Sequence, residues 1–276
     1  MTYFSSFLMG LVQGLAEFLP ISSSGHLAIA QNLLGLETEV PVFFDVLLHL
    51  GTLLAVFVAY WKDICEIVVE FFRGIRDIAH HTTPKQVPPA RRMILLIIVA
   101  TLPLVVVLPF HEKVQALGDN MVFVGAALVV TGFLLFACDL VRKGRKTAKN
   151  ATLLDALVVG VGQAIATMPG ISRSGMTITA GCFCGYERSF AVRFSFLMSI
   201  PAILGACVLE LPDMISQGVA SDMLVPLIVG SVTACAVGFL AIKLLQYLTK
   251  NKSFTFFAVY CIVVGLAAII ADLVIA

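Results

Sequence analysis

Apolar runs of unequal length, broken by short polar stretches, dominate the chain, and their lengths predict which of them cross a membrane. Residues 4–19 are apolar but fall short of the ~20 residues that a spanning helix needs, and Pro20 ends them. Residues 26–36 are short again. Two half-length segments around Ser22–Ser24 predict a re-entrant helical hairpin over 4–36, which is tolerated at membrane depth where protein or a water-filled cavity covers the backbone. A single kinked span over 4–34 is the alternative. Residues 42–60 form a full-length span that closes on Tyr60-Trp61-Lys62, an aromatic and basic interface signature, and carry Asp45 and His49 on one helix face. Over 64–79, Ile64, Ile67, Val68, Phe71, Ile75 and Ile78 recur at helical period between charged residues, which predicts an amphipathic helix lying in the interface. His80-His81 read as solvated surface. Spans 93–110, bent or broken near Pro103, and 121–140 follow.

The pattern then restarts. A short segment over 153–168, a loop Pro169–Thr177 and a second short segment to Cys184 form another hairpin over 153–184, followed by spans 190–210, 223–248 and 254–275. At a constant offset of 150, Gly10 matches Gly160, Gln13 matches Gln163, Ser22 matches Ser172, Ser24 matches Ser174 and Gly25 matches Gly175, and the register continues through Gly35, Glu37 and Leu47. Residues 1–150 and 151–276 are therefore two repeats of one membrane domain, each a hairpin plus three spans. The mismatches carry the chemistry: Glu17 faces Thr167, Ser23 faces Arg173 and His26 faces Met176.

Loop charge orients the chain. The connection 61–92 holds six Lys or Arg and 141–151 holds five, which marks them as cytoplasmic, whereas 111–120 holds only Lys113 and 211–222 holds none. Three spans per repeat invert the second copy relative to the first. The hairpins then enter from opposite faces and bring Ser23, His26 and Arg173 together near the midplane, as in inverted-repeat transporters.

Composition agrees with the periodicity. The 276 residues are 59% hydrophobic and 13% charged, with a mean hydropathy of +1.01, so the class is an all-α integral membrane protein. A net charge of +1, with cations confined to short loops, excludes nucleic acid as a partner. Seven scattered Cys without CxxC spacing read as small buried hydrophobes. The N-terminus lacks the basic n-region of a cleavable signal.

An Arg in hydrocarbon costs ~2.5–3.5 kcal/mol even on the lenient insertion scale, so Arg173 points to an anion. A structural pair with Glu17 ranks second, because Ser172, Ser174 and the backbone N–H groups beside Gly170 and Gly175 surround the guanidinium with donors. Arg, hydroxyls and free N–H groups describe a phosphate cradle, to which Ser22 and Ser24 add the first copy's hydroxyls. No Gly-Lys-Ser/Thr is present, so nucleotide hydrolysis gets no support. Glu17 lies four residues after Gln13, and their oxygens suit Mg²⁺ or Ca²⁺ over a diphosphate. His26, three residues after Ser23, is placed to take a proton from a Ser23 nucleophile, with Glu17 holding the metal or orienting the imidazole; the competing mechanism makes His26 itself the nucleophile.

Gln13-Gly-Leu-Ala-Glu17-Phe-Leu-Pro-Ile-Ser-Ser-Ser-Gly25-His26 and Pro169-Gly-Ile-Ser-Arg173-Ser-Gly-Met-Thr177 resemble the two signature motifs of the undecaprenyl-diphosphate phosphatase family, the bacitracin-resistance proteins. The likeness covers nearly the whole chain, including Phe44-Asp45 and His49-Leu50-Gly51-Thr52. It implies a bacterial inner-membrane hydrolase that removes the terminal phosphate of undecaprenyl diphosphate and recycles the lipid carrier for peptidoglycan synthesis. It further implies a divalent cation and a site reached from the outer face. By resemblance Glu17, Ser23, His26 and Arg173 are the functional positions; Gln13 stands where relatives often carry Glu, which leaves it a ligand or positioning role. The partners implied are a polyprenyl diphosphate and membrane lipid, with self-association into a homo-oligomer left open. The rivals are a transporter or flippase of a phosphorylated polyprenyl lipid, and a lipid-binding subunit without activity. Ser23 with His26 argues for chemistry, since anion transport needs no nucleophile.

Overall fold

The computed structural model describes residues 2–34, 42–82, 86–217, 223–251 and 253–275. The expected repeat matches at Gly35 and Glu37, and the latter part of the connection expected over 211–222, lie outside the described residues.

Helices account for nearly all of it. The first half of the chain contains α1 (Tyr3–Phe18), α2 (Ser23–Leu34), α3 (Val42–Ala59), α4 (Trp61–Ala79), α5 (Pro89–Val107), a short α6 (His111–Gln115) and α7 (Met121–Leu140). The second contains α8 (Leu153–Ile165), α9 (Arg173–Phe183), α10 (Arg188–Gln217), α11 (Leu224–Asn251) and α12 (Thr255–Ile275). Among the described residues, five helical stretches are long and apolar enough to cross a membrane, and a sixth is counted if α3 and α4 are taken as one span bent by 83°. That bend is where the apolar pattern changes to an amphipathic one at Tyr60-Trp61. On α4 the large apolar residues Phe72, Ile75 and Ile78 remain exposed, the face expected to meet lipid.

Two boundaries differ from the sequence pattern. Helix α5 runs on through Pro103 to Val107 without a break, and α10 contains both Pro201 and Pro212 and continues to Gln217, past the position where a loop was expected. In each case the neighbouring apolar turns continue the helix at the cost of one backbone hydrogen bond.

The two halves of the chain begin with the same kind of cap. Thr2 closes a capping box with Ser5 at the start of α1, and Thr152 closes the same box with Asp155 at the start of α8. The packing exchanges in the same way. α1 lies on α11 and α8 on α5; α3 packs on α11 and α10 on α5; α7 packs on α12. Each short helix makes its closest approach through the matched glycine. A Cβ at Gly10 would sit 2.3 Å from the Gly230 carbonyl oxygen, and one at Gly160 would sit 2.4 Å from that of Ala100. Small residues at such crossings let backbones pack where lipid supplies no hydrophobic drive. Phe18 of α1 meets Phe196 of α10 edge-on at 5.3 Å and joins the first hairpin to the main core.

The basic loops are tied down as well as charged. Arg92 donates to the Ala148 and Ala151 carbonyls at 3.0 and 2.8 Å. Lys146 pairs with Asp155 at 2.8 Å, Arg188 with Asp139 at 2.8 Å, and Arg193 with Asp63. Gly160→Ala is expected to cost about 1–3 kcal/mol by overpacking and to lower the thermal unfolding midpoint in detergent. Gly205→Ala, where a new Cβ would meet nothing within 4 Å, is expected to leave the midpoint level or higher. Circular dichroism melts of the two variants check this, and equal melts would remove the close approach as a constraint.

Candidate active site

The two polar loops are built by the same local rule. Phe18 and Leu19 end α1 ahead of Pro20, Ser22 takes a positive φ of 73°, and its Oγ then accepts the Gly25 N–H at 3.3 Å to start α2. Gly170 holds a φ of 89° in the other loop, and Ser172 Oγ accepts the Gly175 N–H at 3.1 Å to start α9. The loops brace each other. Gly170 N–H donates to Ser24 Oγ at 3.2 Å, Ser174 Oγ donates to the Leu19 carbonyl at 3.2 Å, and Ser172 N–H donates to Thr131 Oγ1 of α7 at 3.1 Å.

Most of the hydroxyls and N–H groups expected at the cradle make bonds within the protein. Ser22, Ser172 and Ser174 are buried, and their hydroxyls serve caps and loop contacts. The N–H groups of Gly170 and Gly175 are bonded within the protein. The physical reason is burial: a polar group removed from water must find a partner, and the opposite loop is nearest.

What remains converges on Glu17, whose side chain is only 3% exposed. Arg173 Nη2 donates to its Oε1. Ser23 Oγ donates to Oε2 at 2.6 Å and Gln13 Nε2 to the same oxygen at 3.2 Å, while His49 Nε2 stands 3.9 Å away. The ion pair ranked second in the sequence is thus formed. It does not exhaust the guanidinium, because Arg173 Nη1 is buried without a hydrogen-bond partner in the protein.

His26 departs from expectation. Its Nδ1 donates to the Ser22 carbonyl at 2.8 Å, and its Nε2 shares a 2.9 Å bond with the Tyr260 hydroxyl, the two rings stacked at 5.5 Å. Ser23 is accordingly paired with Glu17, and both imidazole nitrogens are committed elsewhere. The imidazole nearest the carboxylate is His49, whose Nδ1 donates to the Asp45 carbonyl at 2.7 Å and leaves Nε2 toward Glu17. Sequence reasoning noted His49 beside the loop without giving it a role, and Tyr260 and Thr131 lie in apolar spans that carry no motif.

A cavity of about 670 Å³ opens at this point. Arg173, His49, Gln163 and Thr167 form its polar end, and Leu104, Val105, Leu108, Ile203 and Leu204 of α5 and α10 are among its apolar walls. A polar end on an apolar trough suits a lipid with an anionic head. A divalent cation fits the donor set if it arrives with phosphate. Gln13 Oε1 is buried without a partner in the protein, and Glu17 supplies a carboxylate on the same helix face. Among the described residues no cluster of three or more His, Cys, Asp or Glu could hold a metal, so phosphate oxygens would have to complete the set, as is common for Mg²⁺.

The profile of the family described as Bacitracin resistance protein BacA matches residues 6–267. Curated relatives similar to the chain are undecaprenyl-diphosphatases. That of Desulforapulum autotrophicum is 42% identical, covering 99% of this chain and 100% of its own. Those of Alkaliphilus metalliredigens and Methanosphaera stadtmanae are 40% and 37% identical, with coverage of 99% and 100%, and of 98% and 98%, respectively.

Glu17→Gln is expected to destabilise the protein by about 3–5 kcal/mol, since it strands the Arg173 charge. Adding Arg173→Gln should recover much of that loss. A double-mutant cycle on thermal unfolding measures the coupling, and strictly additive losses would show that the pair does not act as a unit.

Proposed function

The chain belongs to the bacitracin-resistance BacA family, and on that premise we propose that it hydrolyses undecaprenyl diphosphate to undecaprenyl phosphate and inorganic phosphate. It is then a phosphoric anhydride hydrolase that returns the lipid carrier to peptidoglycan synthesis and confers bacitracin resistance. The observation that carries the reading is the meeting of Ser23 and Glu17 with Arg173, whose side chain lines the cavity. Flipping or transport of the lipid is not favoured, since transport needs no hydroxyl bonded at 2.6 Å to a carboxylate.

In the proposed chemistry Arg173 Nη1 holds an oxygen of the terminal phosphate. Ser23 Oγ attacks that phosphorus while its proton passes to Glu17 Oε2, and the bond to the bridging oxygen breaks to release undecaprenyl phosphate. Water then attacks the phosphoserine, Glu17 returns its proton to Ser23 Oγ as the serine P–O bond breaks, and both water protons leave with the inorganic phosphate, so Ser23 and the Glu17 carboxylate are restored. His26, bonded to the Ser22 carbonyl and Tyr260, steadies the first turn of α2 in this scheme. Glu17 and Gln13 would hold a divalent cation, Mg²⁺ or Ca²⁺, which when bound neutralises phosphate charge.

The inverted repeat, with hairpins entering from opposite faces, is supported by the exchanged packing of α1 on α11 and α8 on α5 and by the charge of alternate loops. With the loops 61–92 and 141–151 in the cytoplasm, the protein belongs in the bacterial inner membrane with its cavity open to the outer face. The His111, Val114, Gln115 and Glu210 lining supports that direction, because it adjoins the loop with a single Lys.

Purified protein in detergent, where no two sides exist, is expected to release phosphate from undecaprenyl diphosphate. Ser23→Ala should lower kcat by at least about a thousandfold, and Arg173→Lys should fail nearly as badly as Arg173→Ala because an ammonium lacks the planar fork. Near-normal turnover by Ser23→Ala would overturn the nucleophile. For topology, single cysteines in 111–120, in a background without the native Cys, should react with an impermeant reagent from outside. Those in 141–151 should not, and the reverse result would invert the arrangement.

A further inference from the structure

Gln163 sits in the last turn of α8, is 1% exposed, and lines the cavity beside Arg173. Neither Nε2 nor Oε1 of its amide has a hydrogen-bond partner in the protein. Leaving a buried amide unpaired is costly, and the position matched at the offset of 150 shows what it lacks. In the first copy the matched amide, Gln13 Nε2, donates to Glu17 four residues on. In the second copy that place is taken by Thr167, whose hydroxyl turns back to the Ala164 carbonyl at 2.7 Å. The amide is retained and its anionic partner is gone. Its place is nonetheless fixed, because the approach of Gly160 to the Ala100 carbonyl pins α8 to α5 less than one turn earlier.

We propose that Gln163 is a substrate-positioning residue whose Nε2 donates to a phosphoryl oxygen of the bound diphosphate, while Oε1 accepts from the water that hydrates it. The ligand supplies the anion that the second copy no longer carries. Thr167 serves the same end, since a carboxylate there would repel phosphate. Arg173 Nη1, the other buried donor left open on this cavity, then takes a second oxygen of the same group. This assignment rests on the diphosphatase reading, but it concerns binding, which can be measured without turnover.

The test is Gln163→Met, which keeps the volume and removes the polar atoms. The apo variant is expected to melt in detergent at the wild-type temperature or above it, since no bond within the protein is lost. Its melting shift with inorganic diphosphate should shrink, and its KM for undecaprenyl diphosphate should rise about tenfold with kcat within about threefold, the scale of one hydrogen bond to a charged group. Gln163→Glu, equal in size but negative, should raise KM further. A Met variant that melts lower yet keeps the full diphosphate shift would make Gln163 a packing residue and overturn the proposal, as would a Met variant unchanged in both measurements. If wild-type protein releases no phosphate from the lipid, the hydrolase reading fails, whereas the shift with inorganic diphosphate still decides the role of Gln163.

Discussion

Glu17 and Arg173 come from opposite halves of the chain and meet where neither is tolerated alone. Each charge would carry a penalty of several kcal/mol in a medium of low polarity, and their attraction offsets it only with close geometry and further hydrogen bonds. Ser23 and Gln13 supply those bonds. The placement of the loops follows from this need: the hairpins must bring the two ends together, and the serine cross-links between Ser24 and Gly170 and between Ser174 and Leu19 hold them there.

The two halves of the chain share backbone devices and differ in the side chains that meet at the site. Caps, glycine crossings and loop serines are common to both. Glu17 against Thr167 and Ser23 against Arg173 are not. One copy brings the carboxylate and hydroxyl, the other the guanidinium and an amide without a partner. Symmetry fixes where the groups stand, and its breaking decides what they do.

Much of this was legible in the sequence. Half-length apolar runs ending at Pro20 and before Pro169 mark the short helices α1 and α8, and a constant offset pairs the positions of the two polar loops. The bond directions were not legible. Ser22 and Ser172 read as ligand donors because spacing records proximity, whereas burial turns their hydroxyls to the backbone. His26 and His49 make the same bond from Nδ1 to the carbonyl four residues earlier. That bond leaves the direction of Nε2 to the tertiary fold, which sends one ring to Tyr260 and the other to Glu17. Tyr260 and Thr131 enter from distant apolar helices, where no motif marks them.

The ion pair spans 156 residues of sequence, and this imposes an order on biogenesis. At ordinary ribosomal speeds Glu17 is synthesised ~8–30 s before Arg173. Through that interval the first hairpin has a carboxylate but no counter-ion, and the Ser24 hydroxyl has no Gly170 to receive. An uncompensated carboxylate is costly in hydrocarbon, so the first hairpin reaches its final packing only after α9, and then α11, on which α1 lies, have been made.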